Sequence, residues 1–172
     1  MGKHLSSKNH IGDRSVLQPV HRHKEQIIVG ADIGQLYERS YGEITASNTH
    51  RFTDCDYSDY YIKYVDWAAE NNIIYGYGDD LFGPNVPITR EQLAAVIYRF
   101  ADFFRVLPNN MDAALNYPDA KSISGFARNA ALYCQSTGII TGRFGGELSP
   151  KEAATRAEIA AIIQRFIEVV LG

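Results

Sequence analysis

Apolar residues recur three and four positions apart in five stretches of the chain, the spacing of helices with one buried face. Val29, Ile33, Leu36, Tyr37 and Tyr41 mark a helix from about Lys24 to Ser40. Tyr60, Tyr61, Tyr64, Val65, Trp67 and Ala68 mark a second, which Asp56 or Ser58 is placed to cap and Asn71-Asn72 ends. Leu93, Ile97, Phe100, Ala101 and Phe104 form the stripe of a third. Phe126, Ala130, Tyr133 and Cys134 form one face of a fourth over about Ser124 to Thr137, closed by Gly138. Ile159, Ile163, Phe166, Ile167 and Val170 form the fifth. The pattern predicts an all-α protein.

The third and fifth helices open alike. Thr89 with Gln92, and Thr155 with Glu158, have the spacing of a capping box, in which the threonine accepts a backbone N–H and the Gln or Glu reaches back. These starts belong to a longer repetition. Gly76 and Gly142, Pro84 and Pro150, and Arg90 and Arg156 are each separated by 66 positions, with no gap between them. A fixed period of this kind is the mark of a repeat architecture. Lys24-Glu25-Gln26-Ile27 lies the same distance before Arg90-Glu91-Gln92-Leu93, so a third, degenerate copy precedes the two full ones and has only half of a unit. Gly30, Ala31 and Gly34 disturb its register, since they fall where the next copy has Val96, Ile97 and Phe100. The expected divisions are 1–48 for the degenerate copy, 49–112 and 113–172 for the full copies, together one module.

Composition narrows the function. Hydrophobic content of 45% and charged content of 22% fit a soluble globular chain. A net charge of −3 gives no general attraction to nucleic acid, so any anion site must be local. Cys55 and Cys134 lack metal-ligand spacing and are expected as small apolar residues, not as a disulfide. No run approaches the ~20 apolar residues of a membrane span, and the N-terminus lacks the apolar stretch of a secretory signal. His21 and His23 without further ligands are not a metal site. Carboxylates are plentiful but fall in no catalytic motif, and no cofactor is implied.

Phe52-Thr53-Asp54, Trp67, Ile73-Ile74-Tyr75-Gly76, Phe82-Gly83-Pro84 and Ile88-Thr89-Arg90-Glu91 resemble the S-layer homology (SLH) domain of bacterial surface proteins. The last copy carries Tyr117-Pro118-Asp119, Ile139-Ile140-Thr141-Gly142, Leu148-Ser149-Pro150 and Thr155-Arg156-Ala157-Glu158. The resemblance implies a pseudo-threefold module, with the second helix of each repeat in a central three-helix bundle and grooves between neighbouring repeats. It also implies non-covalent anchoring at the cell surface to a secondary cell-wall polysaccharide bearing pyruvate ketals.

Physical reasoning then selects the candidate ligand residues. Arg90 and Arg156 stand at helix starts, where free amides and the positive dipole end favour a carboxylate, and a guanidinium fork binds one bidentately. Thr89, Thr155 and Asp54 accompany them. Trp67 or Tyr77 is placed to stack on a sugar face, and Gly76 and Gly142 allow close approach. Lys24 retains a charge at the degenerate position. Structural alternatives stand beside each: an ion pair from the arginines to Asp54 or Asp119, a core position for Trp67, and capping for the threonines. A competing function is a structural or protein-interaction module, a domain-swapped homo-oligomer completing the half repeat.

Overall fold

A computed structural model describes residues 25–47 and 49–171. Five helices follow one another: α1 (Glu25–Tyr41), α2 (Ile62–Glu70), α3 (Arg90–Phe103), α4 (Arg128–Thr137) and α5 (Arg156–Leu171). Among the described residues there is no strand, only two isolated bridges. The all-α expectation holds.

The helices alternate in role. α1, α3 and α5 meet through large side chains. Phe100 of α3 stacks on Phe166 of α5 at 5.4 Å, and Tyr41 of α1 lies 5.1 Å from Phe104 just beyond α3. An outer helix packs on two of them: α2 on α1, and α4 on α3. The glycines of α1 have their reason here. A Cβ on Gly34 would lie 2.5 Å from the Tyr64 ring, and one on Gly30 would touch Val65 and Ile74. They are small because α2 sits directly against them. Glu38 ties the same pair, accepting from Lys63 Nζ at 2.7 Å and Tyr64 Oη at 3.0 Å.

Several expected elements shift. α2 begins at Ile62 with no side-chain cap; Asp56 instead accepts from Ser58 N and Oγ in a local turn. α4 begins at Arg128, after 3-10 turns at Ala120–Ser122 and Gly125–Ala127. That change of phase puts Ala127 inside and leaves Phe126 64% exposed. On α5, Ile159 and Phe166 are buried, but Ile162 takes the third core place, while Ile163, Ile167 and Val170 are half-exposed. Tyr60 and Tyr41 are also exposed. Gly138 closes α4 in the left-handed conformation, as expected. Both cysteines are free thiols, Cys134 fully buried; burial pushes the Cys55 thiol up to about 12.

Asp66 is the anomaly of the core. It is buried, and among the described residues neither carboxylate oxygen has a hydrogen-bond partner. Burial raises its pKa, with Glu70 adding to the rise and His50 opposing it. A raised native pKa means stability is full below the unfolded value of 3.8 and declines as pH rises through the native value. Asp66→Asn is therefore expected to stabilise the protein by about 1 kcal/mol at pH 7. Below pH 4 the gain should vanish, a difference read from urea unfolding at the two pH values.

Candidate functional site

Each full repeat builds its loop the same way. Asp54 accepts the Phe82 and Gly83 amides at 2.8 Å each, and Asp119 accepts those of Leu148 and Ser149 at 2.9 and 2.8 Å. Both carboxylates thus latch the proline loop instead of pairing with an arginine. Gly76 turns the chain at φ +72°, and a Cβ there would lie 2.3 Å from Leu81 O. Gly142 is held equally tightly against Gly146.

The start of α3 is not the open amide terminus that the sequence suggests. Thr89 and Gln92 form the capping box in full. The Arg90 amide donates to Glu152 O at 2.9 Å and the Glu91 amide to Pro150 O at 3.1 Å. Repeat 3 therefore covers the helix end, and its amides are occupied by protein carbonyls.

Arg90 points into the same seam. Its Nε donates to Leu148 O at 2.6 Å, Nη2 to Thr141 O at 3.2 Å, and Nη1 pairs with Glu158 at 2.7 Å. The residue is 2% exposed, and burial lowers its pKa against the favourable field of Glu158. It staples repeat 2 to repeat 3. Glu158 closes the second capping box with Thr155 and also receives Arg143 Nε and Nη2 at 2.8 and 2.9 Å. Nearby, Glu91 accepts from Ser124 N and Oγ and pairs with Lys151 at 2.6 Å, fastening the approach to α4 onto α3.

The Glu158 network predicts a pH response. The Arg143 hydrogen bonds foremost, with Thr155 and Arg90 assisting, lower its pKa from 4.5 to about 2. A lowered native pKa means the stabilisation is full above the unfolded value and is lost as pH falls toward the native one. About 2 kcal/mol is expected to disappear between pH 5 and pH 2, after allowing for the group's partial exposure. Glu158→Gln should flatten that segment of the stability profile; an unchanged slope refutes the assignment.

Two cavities follow the 66-residue step. One, of about 590 Å³, is lined by Tyr75, Tyr77, Gln92 and Arg99 of repeat 2, with Phe126 and Asn129 of repeat 3 forming the opposite side. The other, of about 270 Å³, has Thr141, Arg143, Glu158 and Arg165 at the corresponding positions, with Arg90 beside them. Their chemistry differs. In the small cavity Glu158 is an internal carboxylate held by Arg90 and Arg143. In the large one the equivalent residue is the neutral Gln92, and Tyr77 replaces Arg143.

Arg99 gives the large groove its character. Among the described residues its buried Nε has no hydrogen-bond partner, and its guanidinium lies 4.6 Å from the centre of the exposed Tyr75 ring. Among the described residues no carboxylate pairs with it. Burial lowers its pKa, opposed only by Tyr75.

The candidate residues consequently separate. Gly76 and Tyr77 line the large groove, and Gly142 and Arg90 the small one. Trp67 lines neither. It is 5% exposed, with Tyr37 at 4.7 Å and Phe103 at 5.5 Å, sealing the joint of α1, α2 and α3. Arg156 and Thr155 are exposed at the start of α5 and line neither cavity. Lys24, His21 and His23 lie outside the described residues. Arg99, Phe126, Tyr75 and Asn129 were not among the ligand candidates read from the sequence, where Phe126 was expected on the buried face of the fourth helix. The repeat contained a signal for two of them: Arg99 recurs as Arg165, and Phe126 stands 66 after the exposed Tyr60. Among the described residues no three His, Cys, Asp or Glu side chains are placed to hold a metal ion. No described helix is long and apolar enough to cross a membrane.

The family profile of the S-layer homology domain matches residues 51–94 and 116–160, just over half of the chain. The chain belongs to the S-layer homology domain family. It is 35% identical over 117 residues to an amylopullulanase of Thermoanaerobacterium thermosulfurigenes, covering 68% of this chain and 6% of that protein. It is 34% identical over 117 residues to the exoglucanase XynX of Acetivibrio thermocellus, covering 68% of this chain and 11% of the relative. With a cellulosome-anchoring protein of Acetivibrio thermocellus it shares 28% identity over 141 residues, 82% of this chain and 29% of that protein. The chain thus spans a minor part of each of these relatives.

Proposed function

We propose that this chain is a non-catalytic anchor that holds itself, or a polypeptide joined to it, to the bacterial cell wall by binding a secondary cell-wall polysaccharide. Family membership and likeness to an anchoring protein support the general role. The enzyme names among the relatives describe proteins of which this chain matches small segments, so they carry no catalytic assignment here.

The observation that carries the finer reading is Arg99: a guanidinium with no carboxylate partner among the described residues, in a groove flanked by exposed Tyr75, Tyr77 and Phe126. Aromatic faces pack against the apolar face of a sugar ring, and a desolvated guanidinium favours a carboxylate. A sugar with a pyruvate-type carboxylate combines both. Gln92 and Asn129 add neutral hydrogen-bonding groups to the same walls. Arg90 in this reading supports the groove's frame by joining the repeats. The location of function is accordingly the cell surface.

Co-sedimentation with purified bacterial sacculi tests the role. Native sacculi should carry the chain into the pellet, and sacculi stripped of their secondary polysaccharides should leave it in solution. Equal behaviour with both preparations rejects the proposal.

A further inference from the structure

The two full repeats differ at one side-chain atom of their capping boxes. Gln92 uses Oε1 to accept the Thr89 amide at 2.8 Å, so its second polar atom is Nε2, a donor. Glu158 uses Oε2 to accept the Thr155 amide at 2.8 Å, and its second polar atom is a carboxylate oxygen. The two residues are one 66-residue step apart and line the large and the small cavity respectively.

In the small cavity the arginines already hold a carboxylate. Oε1 of Glu158 receives Arg90 Nη1 at 2.7 Å and Arg143 Nε at 2.8 Å, and Oε2 receives Arg143 Nη2 at 2.9 Å. Arg143 also pairs with Glu152. The guanidinium fork that would bind a ligand carboxylate bidentately is therefore filled from within the chain. Arg165 is the other cation of this cavity; it is half-exposed and has the Glu158 charge two turns away on the same helix. None of the described residues lining the small cavity is aromatic. In the large cavity Arg99 is the only charged residue among the described lining residues, and Tyr75, Tyr77 and Phe126 supply ring faces.

We infer that this capping-box residue selects what each groove accepts. Gln92 admits an acidic sugar to the large groove, while Glu158 fills the small one with an internal carboxylate that turns such a sugar away. The two full repeats then offer one carboxylate–sugar site between them. The inference rests on the reading of the large groove as such a site. Glu and Gln both complete a capping box, so the selection can be exchanged while the helix start is kept.

Amide chemical-shift mapping of the isotope-labelled full chain, titrated with glucuronate as a sugar bearing one carboxylate, tests it. In the wild type, shifts should fall on Tyr75, Tyr77 and Arg99 and spare Thr141, Arg143 and Arg165. Gln92→Glu should weaken the large-groove response about tenfold at low salt, because a like charge then faces the ligand. Asn110→Asp adds the same charge at an exposed position outside both cavities and should leave that response unchanged. Glu158→Gln should bring saturable shifts to the small groove. A wild type that responds in neither groove removes the carboxylate–sugar reading and this inference with it. Shifts in both wild-type grooves, or a large-groove response that Gln92→Glu leaves intact, overturn the selection alone. A small groove still silent in folded Glu158→Gln does the same.

Discussion

Replacing Arg90 by alanine is expected to destabilise the protein by about 3–5 kcal/mol, the range for breaking a buried, hydrogen-bonded ion pair from one side. The substitution strips donors from Leu148 O and Thr141 O and takes one partner from Glu158. Glu158 keeps Arg143, so the larger part of the loss comes from the two carbonyls and the void in the seam. Arg90→Lys should fall between alanine and wild type, since an ammonium retains the charge but cannot reproduce three donors in one plane. Equilibrium urea unfolding measures all three proteins. A loss below about 1 kcal/mol for Arg90→Ala would mean that the guanidinium does not join the repeats.

Much of the architecture was legible because it depends on local chemistry. The 66-residue step identifies matching loops, and the threonine starts of α3 and α5 show the capping geometry that their sequence spacing implies. What was not legible depends on which face meets which neighbour. Arg90 and Arg156 occupy equivalent positions in the repeat, yet one is buried and the other exposed. Repeat 3 closes over the first, and no described element closes over the second. Trp67 and Phe126 exchange expected places for a similar reason: α1 and α3 enclose Trp67, whereas a 3-10 turn rotates Phe126 outward. A helical wheel cannot foresee either event. The glycines of α1 disturbed the sequence register but have a direct cause in the Tyr64 ring pressed against Gly34.

The second large effect concerns binding. Arg99→Gln removes a charge that has no carboxylate partner among the described residues, so native stability should be unchanged or slightly raised. Its effect on glycan should be the reverse. Losing a charge-assisted contact to an acidic sugar is worth about 1.5–3 kcal/mol, or roughly ten- to a hundredfold in affinity. This opposition separates a ligand-reading arginine from a structural one: Arg90 substitutions lower stability first, while Arg99 substitutions lower binding alone.

The most direct measurement is a sacculus-binding titration of wild type and Arg99→Gln side by side, with unfolding curves for both. The anchor reading predicts that the variant is as stable as wild type yet remains in the supernatant at sacculus concentrations that pellet the wild type. A folded Arg99→Gln protein retained by native sacculi as strongly as wild type contradicts it.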